Sequence, residues 1–264
     1  MERRPVSSSA IPAQCSESAW LKRFEPVPAP QIRLVCLPHA GGTAGAYHAW
    51  TRDLPADVEL VAVQYPGRQE RFGEPCVTEM GTLADHVTRA LLPLTDRPLA
   101  LFGHSMGASV AYEVALRLII RHQVCPQMLF VSAQTSPLRR GEDKELHLRD
   151  DERLLAGLRA LGGLEEEVYG DPDLRQLVIP SLRSDMRLIE NYRRTQVQRV
   201  DIPVTAYTGD SDPEVSAADI EAWRDLTTAE FAARTLPGGH FYLQERQAEL
   251  VADIAARLTS VRAR

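Results

Sequence analysis

Residues 99–118 read LALFGHSMGASVAYEVALRL, and no other stretch narrows the possible folds as much. An apolar run enters Gly-His-Ser-Met-Gly. It leaves as a pattern in which Val110, Ala111, Val114, Ala115 and Leu118 recur at helical spacing. A strand that turns directly into a helix is a unit of a parallel sheet, and the rest of the chain repeats the theme. IRLVCLP (32–38), VELVAVQ (58–64), LALFG (99–103), QMLFVSA (127–133) and PVTAYTG (203–209) are short runs apolar on both faces, and FAARTLPG (231–238) is a weaker sixth. Helical patterns separate them, and Leu243, Leu250, Val251, Ile254 and Leu258 mark a helix at the end. Strands buried on both faces, alternating with helices, predict an α/β fold with a mainly parallel sheet flanked by helices.

Between Arg139 and Tyr192 no run qualifies as a strand. DDERLLAGLRALGGL opens on an aspartate suited to capping and sets Leu154, Leu155, Leu158 and Leu161 on one helical face. A second helical stretch follows, with Pro180 expected to break or kink it. A helical insertion over about 139–195 is therefore expected, read as a lid over a pocket, with Gly162, Gly163 and Gly170 as candidate hinges. Residues 1–28, rich in Ser and Pro, are expected to be a flexible tail, and 29–264 one domain.

At 264 residues and 44% hydrophobic, the chain can bury a large core unaided. Its four scattered cysteines form no CxxC pair and suit a reducing compartment. No signal peptide or membrane span is legible, so a cytoplasmic location is expected. A net charge of −6 argues against nucleic-acid binding.

The turn at 103–107 has the form Gly-x-Ser-x-Gly. Between a strand and a helix this forces the serine into a strained backbone, and small residues on either side relieve the crowding. Ser105 is thereby raised above the sheet at a helix N-terminus, where the Met106 amide faces negative charge developing on a substrate oxygen. A serine hydroxyl needs a base to take its proton, and in this arrangement an acid and then a histidine follow the serine. Beyond residue 140 there are two histidines. His147 lies in the charged approach to the insertion, whereas His240 lies in LPGGHFYL, a loop between the last strand and the last helix, and is the expected base. The segment after the fourth strand holds no acid, but YTGDSDPEVS after the fifth holds Asp210 and Asp212. Asp212 is favoured because the proline after it fixes an extended turn, leaving Asp210 to shape the turn. A second oxyanion donor is expected from LPHAGGTAGAYHAW, where Ala40 precedes a glycine pair and His39 supports the loop by hydrogen bonding. This chemistry calls for no metal or cofactor.

PHAGG (38–42), VQYPGRQER (63–71), GHSMGA (103–108), GDSDP (209–213) and GGHFYL (238–243) together resemble the stand-alone type II thioesterases of polyketide synthases and nonribosomal peptide synthetases. The resemblance runs from about residue 30 to the C-terminus. It implies an α/β-hydrolase fold with a helical lid, and hydrolysis of aberrant or stalled acyl groups from the phosphopantetheine arm of an acyl or peptidyl carrier protein in antibiotic biosynthesis. An acid after the fifth strand rather than the fourth fits the stand-alone enzymes. The expected partner is thus a carrier protein, with no nucleic acid or membrane, and the expected state is a monomer. Carriers are generally acidic, so docking on a net-negative chain needs local positive charge. Arg68 and Arg71 are the first candidates, followed by Arg139, Arg140, Arg193 and Arg194. The triad itself serves equally an esterase or lipase acting on free esters, or an acyltransferase.

Overall fold

The computed structural model describes residues 17–139, 145–163, 166–194 and 196–262. Seven strands run in chain order: β1 (Leu21–Lys22), β2 (Ile32–Leu37), β3 (Val58–Val63), β4 (Leu99–His104), β5 (Met128–Ser132), β6 (Val204–Gly209) and β7 (Phe231–Leu236). They form one sheet in the order β1-β3-β2-β4-β5-β6-β7. The β1–β3 pair is antiparallel and every other pair is parallel. The helices are α1 (Met80–Leu91), α2 (Met106–His122), α3 (Asp151–Arg159), α4 (Glu166–Gly170), α5 (Pro172–Asn191), α6 (Ala217–Glu221), α7 (Tyr242–Glu245) and α8 (Gln247–Arg262).

The doubly apolar runs are doubly apolar because each face of the sheet has its own core. Along β4, Leu99 and Leu101 pack toward α1 and α2, whereas Ala100 and Phe102 pack toward α8. Along β2, Val35 and Leu37 take the first side and Leu34 and Cys36 the second, as the two-residue strand period requires. The run at 231–238 is weaker because β7 is an edge strand and most of it is only partly buried. This mostly parallel sheet between helical layers is an α/β-hydrolase arrangement.

The N-terminal boundary needs correcting. Residues 1–16 lie outside the described residues, but the expected tail to residue 28 is built into the domain from Trp20 onward. Trp20 is buried, stacks on His86 at 5.1 Å and lies under the Arg71 guanidinium at 4.1 Å. The cause is Glu59, a carboxylate at the second position of an otherwise apolar strand and fully buried. A buried charge must be paired. Arg33 Nε donates to it at 2.7 Å, Arg23 Nε at 2.9 Å and the Val27 amide at 3.2 Å. The guanidinium pairs hold its carboxyl below the usual carboxylate range despite burial, and the segment at 20–28 supplies two of the three partners.

Between β5 and β6 the described residues form a helical turn at Leu146–Leu148 and then α3, α4 and α5. Asp150 caps α3, accepting from the Arg153 amide at 2.8 Å, and Asp171 caps α5, accepting from Asp173 and Leu174. Leu154, Leu155 and Leu158 form a small core of their own with Tyr169 and Leu182. Pro180 does not end its helix: α5 runs through it from Pro172 to Asn191. No helix among the described residues is long and apolar enough to cross a membrane.

Candidate active site

The site forms where strand ends and loops converge. Ser105 follows β4 with φ +52° and ψ −123°, a backbone that L-residues avoid. The elbow is possible only because its neighbours lack side chains. A Cβ on Gly103 would lie 2.1 Å from the Gly107 carbonyl oxygen, and one on Gly107 would lie 2.1 Å from that of Leu37. The Ser105 amide donates to Ser132 O at 2.8 Å, which ties the turn to β5.

The loops after β6 and β7 bring the other two residues in. His240 Nε2 lies 3.0 Å from Ser105 Oγ, and its Nδ1 lies 2.9 Å from Asp212 Oδ2. The carboxylate only accepts, so Nδ1 carries the proton and Nε2 offers its lone pair to the serine hydroxyl. Both the imidazole and the Asp212 side chain are buried. The second oxygen of Asp212 accepts the amides of Glu214 at 2.9 Å and Val215 at 3.2 Å, so the carboxylate cannot rotate freely. Asp210 does shape the turn, but across loops: it accepts from the Gly238 amide at 3.0 Å and the Ser211 hydroxyl at 2.8 Å. Those bonds hold its carboxyl below the usual range. His147 is spent elsewhere, with Nδ1 2.5 Å from Glu190 Oε2 in the insertion.

Ala40 and Met106 line the same cavity as Ser105 and His240. Neither backbone amide has an acceptor among the described residues. His39 supports its loop by packing rather than by the expected hydrogen bonding. Its ring lies edge-on to Phe241 at 4.8 Å and to His104 at 5.9 Å. Desolvation above all, with His240 and the Arg68 guanidinium nearby, pushes its pKa down to about 3, so it stays neutral. A layer behind the site escaped the sequence reading. His104, fully buried and held well below its usual pKa by desolvation, pairs through Nδ1 with Ser132 Oγ at 2.9 Å, and Ser132 Oγ meets Tyr242 OH at 2.6 Å. His104 and Phe241 flank the His240 ring at 5.4 and 5.2 Å. The available signal was the imidazole one residue before the serine.

The docking assignment of Arg68 and Arg71 is overturned. Their side chains are only 6% and 2% exposed. Arg68 donates to both oxygens of Asp185 at 2.7 and 2.9 Å, and Arg71 donates to Glu74 and to Gln64 O. A guanidinium fork buried among carboxylate and carbonyl oxygens is structural. Arg193 donates to Glu190 O and Tyr192 O, and Arg194 to Glu113 Oε1. Arg139 is exposed on the cavity wall, and Arg140 lies outside the described residues.

The cavity has a volume of about 740 Å³, the size of a small-molecule site. Ser105 and His240 both line it. From the insertion come Leu146, Leu158, Leu161, Met186 and Ile189. A nucleophile with its base, two amides free to receive an oxyanion and an apolar wall suit acyl transfer.

Known proteins agree with that chemistry. The family model of the thioesterase domain matches residues 32–258. The thioesterase PikA5 of Streptomyces venezuelae is 41% identical over 252 residues, which cover 95% of this chain and 89% of that protein. Among solved structures, the type II thioesterase BorB from the borrelidin biosynthetic cluster matches with a TM-score of 0.85 at 38% identity, over 91% of this chain and 98% of the other. RedJ, a thioesterase from the prodiginine biosynthetic pathway in Streptomyces coelicolor, matches with a TM-score of 0.83 at 38% identity, over 96% of each chain. The chain belongs to the thioesterase domain family and is a hydrolase of thioesters.

Proposed function

We propose that the protein removes aberrant or stalled acyl groups from the phosphopantetheine arm of acyl or peptidyl carrier proteins in polyketide or nonribosomal peptide biosynthesis. The observation that carries this reading is the Asp212–His240–Ser105 relay, at 2.9 and 3.0 Å, opening on a cavity walled by the helical insertion. The relatedness to the BorB type II thioesterase supports the same substrate class. Arg139 and Arg149, both exposed on the cavity wall, offer positive charge to the phosphodiester of the arm.

Ser105 Oγ attacks the thioester carbonyl carbon as His240 Nε2 takes the hydroxyl proton. Asp212 keeps the imidazole in the tautomer that can accept it and stabilises the imidazolium. The amides of Ala40 and Met106 receive the oxyanion. On collapse the C–S bond breaks, the imidazolium proton passes to the pantetheine sulfur, and the acyl group remains on Ser105. Water then attacks the acyl-enzyme, giving its proton to His240, which returns one to Ser105 Oγ as the free acid leaves.

The test is release of a labelled short acyl group from a phosphopantetheinylated carrier protein, beside the same acyl group as an oxygen ester. Fast release from the carrier, abolished in Ser105→Ala, with slow ester cleavage, is the expected outcome. Preference for the free ester with the carrier untouched would overturn the assignment, and transfer of the acyl group to an added alcohol or amine would mark an acyltransferase.

A further inference from the structure

The buried Arg68–Asp185 pair belongs to neither the triad nor the cavity lining, yet it joins three parts of the molecule. Arg68 comes from the loop after β3, Asp185 from α5 of the insertion, and both meet the loop that carries Ala40. Asp185 Oδ2 accepts from the Gly41 amide at 2.8 Å and from Arg68 Nη1 at 2.7 Å, while Oδ1 accepts from Arg68 Nη2 at 2.9 Å. Arg68 Nη1 also reaches the Gly42 carbonyl at 3.1 Å. Asp185 is 3% exposed.

The loop is a tight turn. The Gly42 amide donates to His39 O at 2.9 Å, and Gly41 has φ +76°, the positive value that the third position of a type II turn needs. That bond closes the turn from inside. From outside it is gripped at two successive residues by one charge pair, the Gly41 amide by Asp185 and the Gly42 carbonyl by Arg68. Ala40 stands immediately before the gripped pair, and its side chain packs against the small core of the insertion. A buried amide needs an acceptor, but a neutral side chain or a backbone carbonyl would serve that need. A carboxylate buried on a lid helix, with an arginine committed to neutralising it, costs more desolvation than mere satisfaction requires.

We propose that Asp185, neutralised and oriented by Arg68, is a positioning residue that holds the Ala40 amide in the geometry that receives the oxyanion, and so links α5 of the insertion to the chemical step. The proposal rests on the reading of Ala40 as an oxyanion donor. It also divides the insertion: α5 is an anchored part of the active site, and any opening of the cavity is left to α3 and α4.

Asp185→Asn keeps the shape but replaces one acceptor oxygen by an amide donor. A second variant, Arg68→Met/Asp185→Leu, removes both charges, so the fold is relieved of an unpaired ion while the Gly41 amide still lacks its acceptor. Both are assayed on an acyl-pantetheine thioester beside wild type and Ser105→Ala, with thermal unfolding and inhibition by an alkyl boronic acid, a tetrahedral anion on Ser105. Loss of a full oxyanion donor costs roughly a hundredfold or more, so a misaligned one is expected to lower kcat and kcat/KM together by about tenfold or more. KM stays unchanged, and boronate affinity falls in parallel. In the charge-free pair, stability is expected to return while the kinetic defect and the weak boronate binding persist. Recovery of kcat and boronate affinity along with stability would overturn the proposal and reduce the pair to a structural tie. Undiminished turnover by Ser105→Ala would instead sink the nucleophile reading on which the proposal stands.

Discussion

The cavity has a floor and a roof built on different terms. The floor, Ser105, His240, Asp212 and Ala40, sits on strand ends between two large cores, and its elbow tolerates no added atom at Gly103 or Gly107. The roof, among the described residues, is three helices around a separate core of five buried residues. It is laced by polar ties such as Glu190 to the Leu146 amide at 2.8 Å and Arg183 to the carbonyls of His147 and Arg149 at 2.8 and 2.6 Å. The proposed catalytic residues therefore stand on the more tightly packed part of the molecule, whereas the insertion is held largely by a core and polar ties of its own. The two meet where Ala40 packs on the insertion's core and where α5 reaches the floor through Asp185.

The sharpest contrast comes from the nucleophile. Ser105→Ala is expected to lower thioester hydrolysis by about 10,000-fold or more, and Asp212→Asn by about 10,000-fold, with unfolding temperatures near wild type. A residual rate within tenfold of wild type in steady-state assays would break the distinction at once. Gly107→Ala probes the same floor through stability. With its Cβ 2.1 Å from a backbone carbonyl, it is expected to lose more than about 4 kcal/mol, read as loss of folded protein in denaturant titration.

The difference between floor and roof also governs what was legible from residues alone. The strands could be read because each is apolar on both faces, and the elbow because Gly103 and Gly107 leave no alternative to small residues. His240 and Asp212 followed from chain order and from the empty acid position after β5. What could not be read were pairings over long sequence distance. Arg68 and Asp185 stand 117 residues apart, and an arginine beside a glycine-rich loop looks like a surface cation until its carboxylate is seen. Glu59 was visible as a charge inside VELVAV, but its partner Arg23 lay in a segment rich in Pro that resembles a tail. Pro180 does not break α5, which runs on to Asn191 although a proline removes one backbone hydrogen bond.

Truncations of the same kind should behave differently in the two regions. Leu154→Ala in the roof and Leu101→Ala in the floor each remove a fully buried leucine, at roughly 2–5 kcal/mol. The floor variant is expected to lower the global unfolding free energy by that amount. The roof variant is expected to speed amide hydrogen exchange in α3 while leaving β4 protected. Equal acceleration in both elements would show that the roof is not a separate unit.

Acid should weaken the floor. His39 and His104 are kept neutral in the folded state, whereas in the unfolded chain they protonate near pH 6.5. The unfolded state therefore binds more protons below pH 6.5, and stability present above that pH is lost as pH falls toward 3. For His39 alone, holding the ring neutral at pH 5 costs about 2 kcal/mol. Thermal unfolding at pH 7.5 and 5 should show the decline, and His39→Gln should lessen it; an unchanged slope would contradict the assignment.

The smallest effect belongs to selectivity. Leu158→Phe enlarges a side chain on the roof wall of the cavity, and is expected to shift kcat/KM toward shorter acyl chains by about tenfold, the scale of one or two methylenes. A matched loss for short and long chains would mean that the roof acts on chemistry after all.

The central claim, acyl transfer through Ser105, is tested most directly by trapping the intermediate. Wild-type protein mixed with an acyl-loaded carrier is quenched in acid within milliseconds, and its peptides are weighed. The acyl mass is predicted on the peptide that contains Ser105 and on no peptide of Ser105→Ala. Turnover with no acyl group on Ser105, or with the group on another residue, would contradict it.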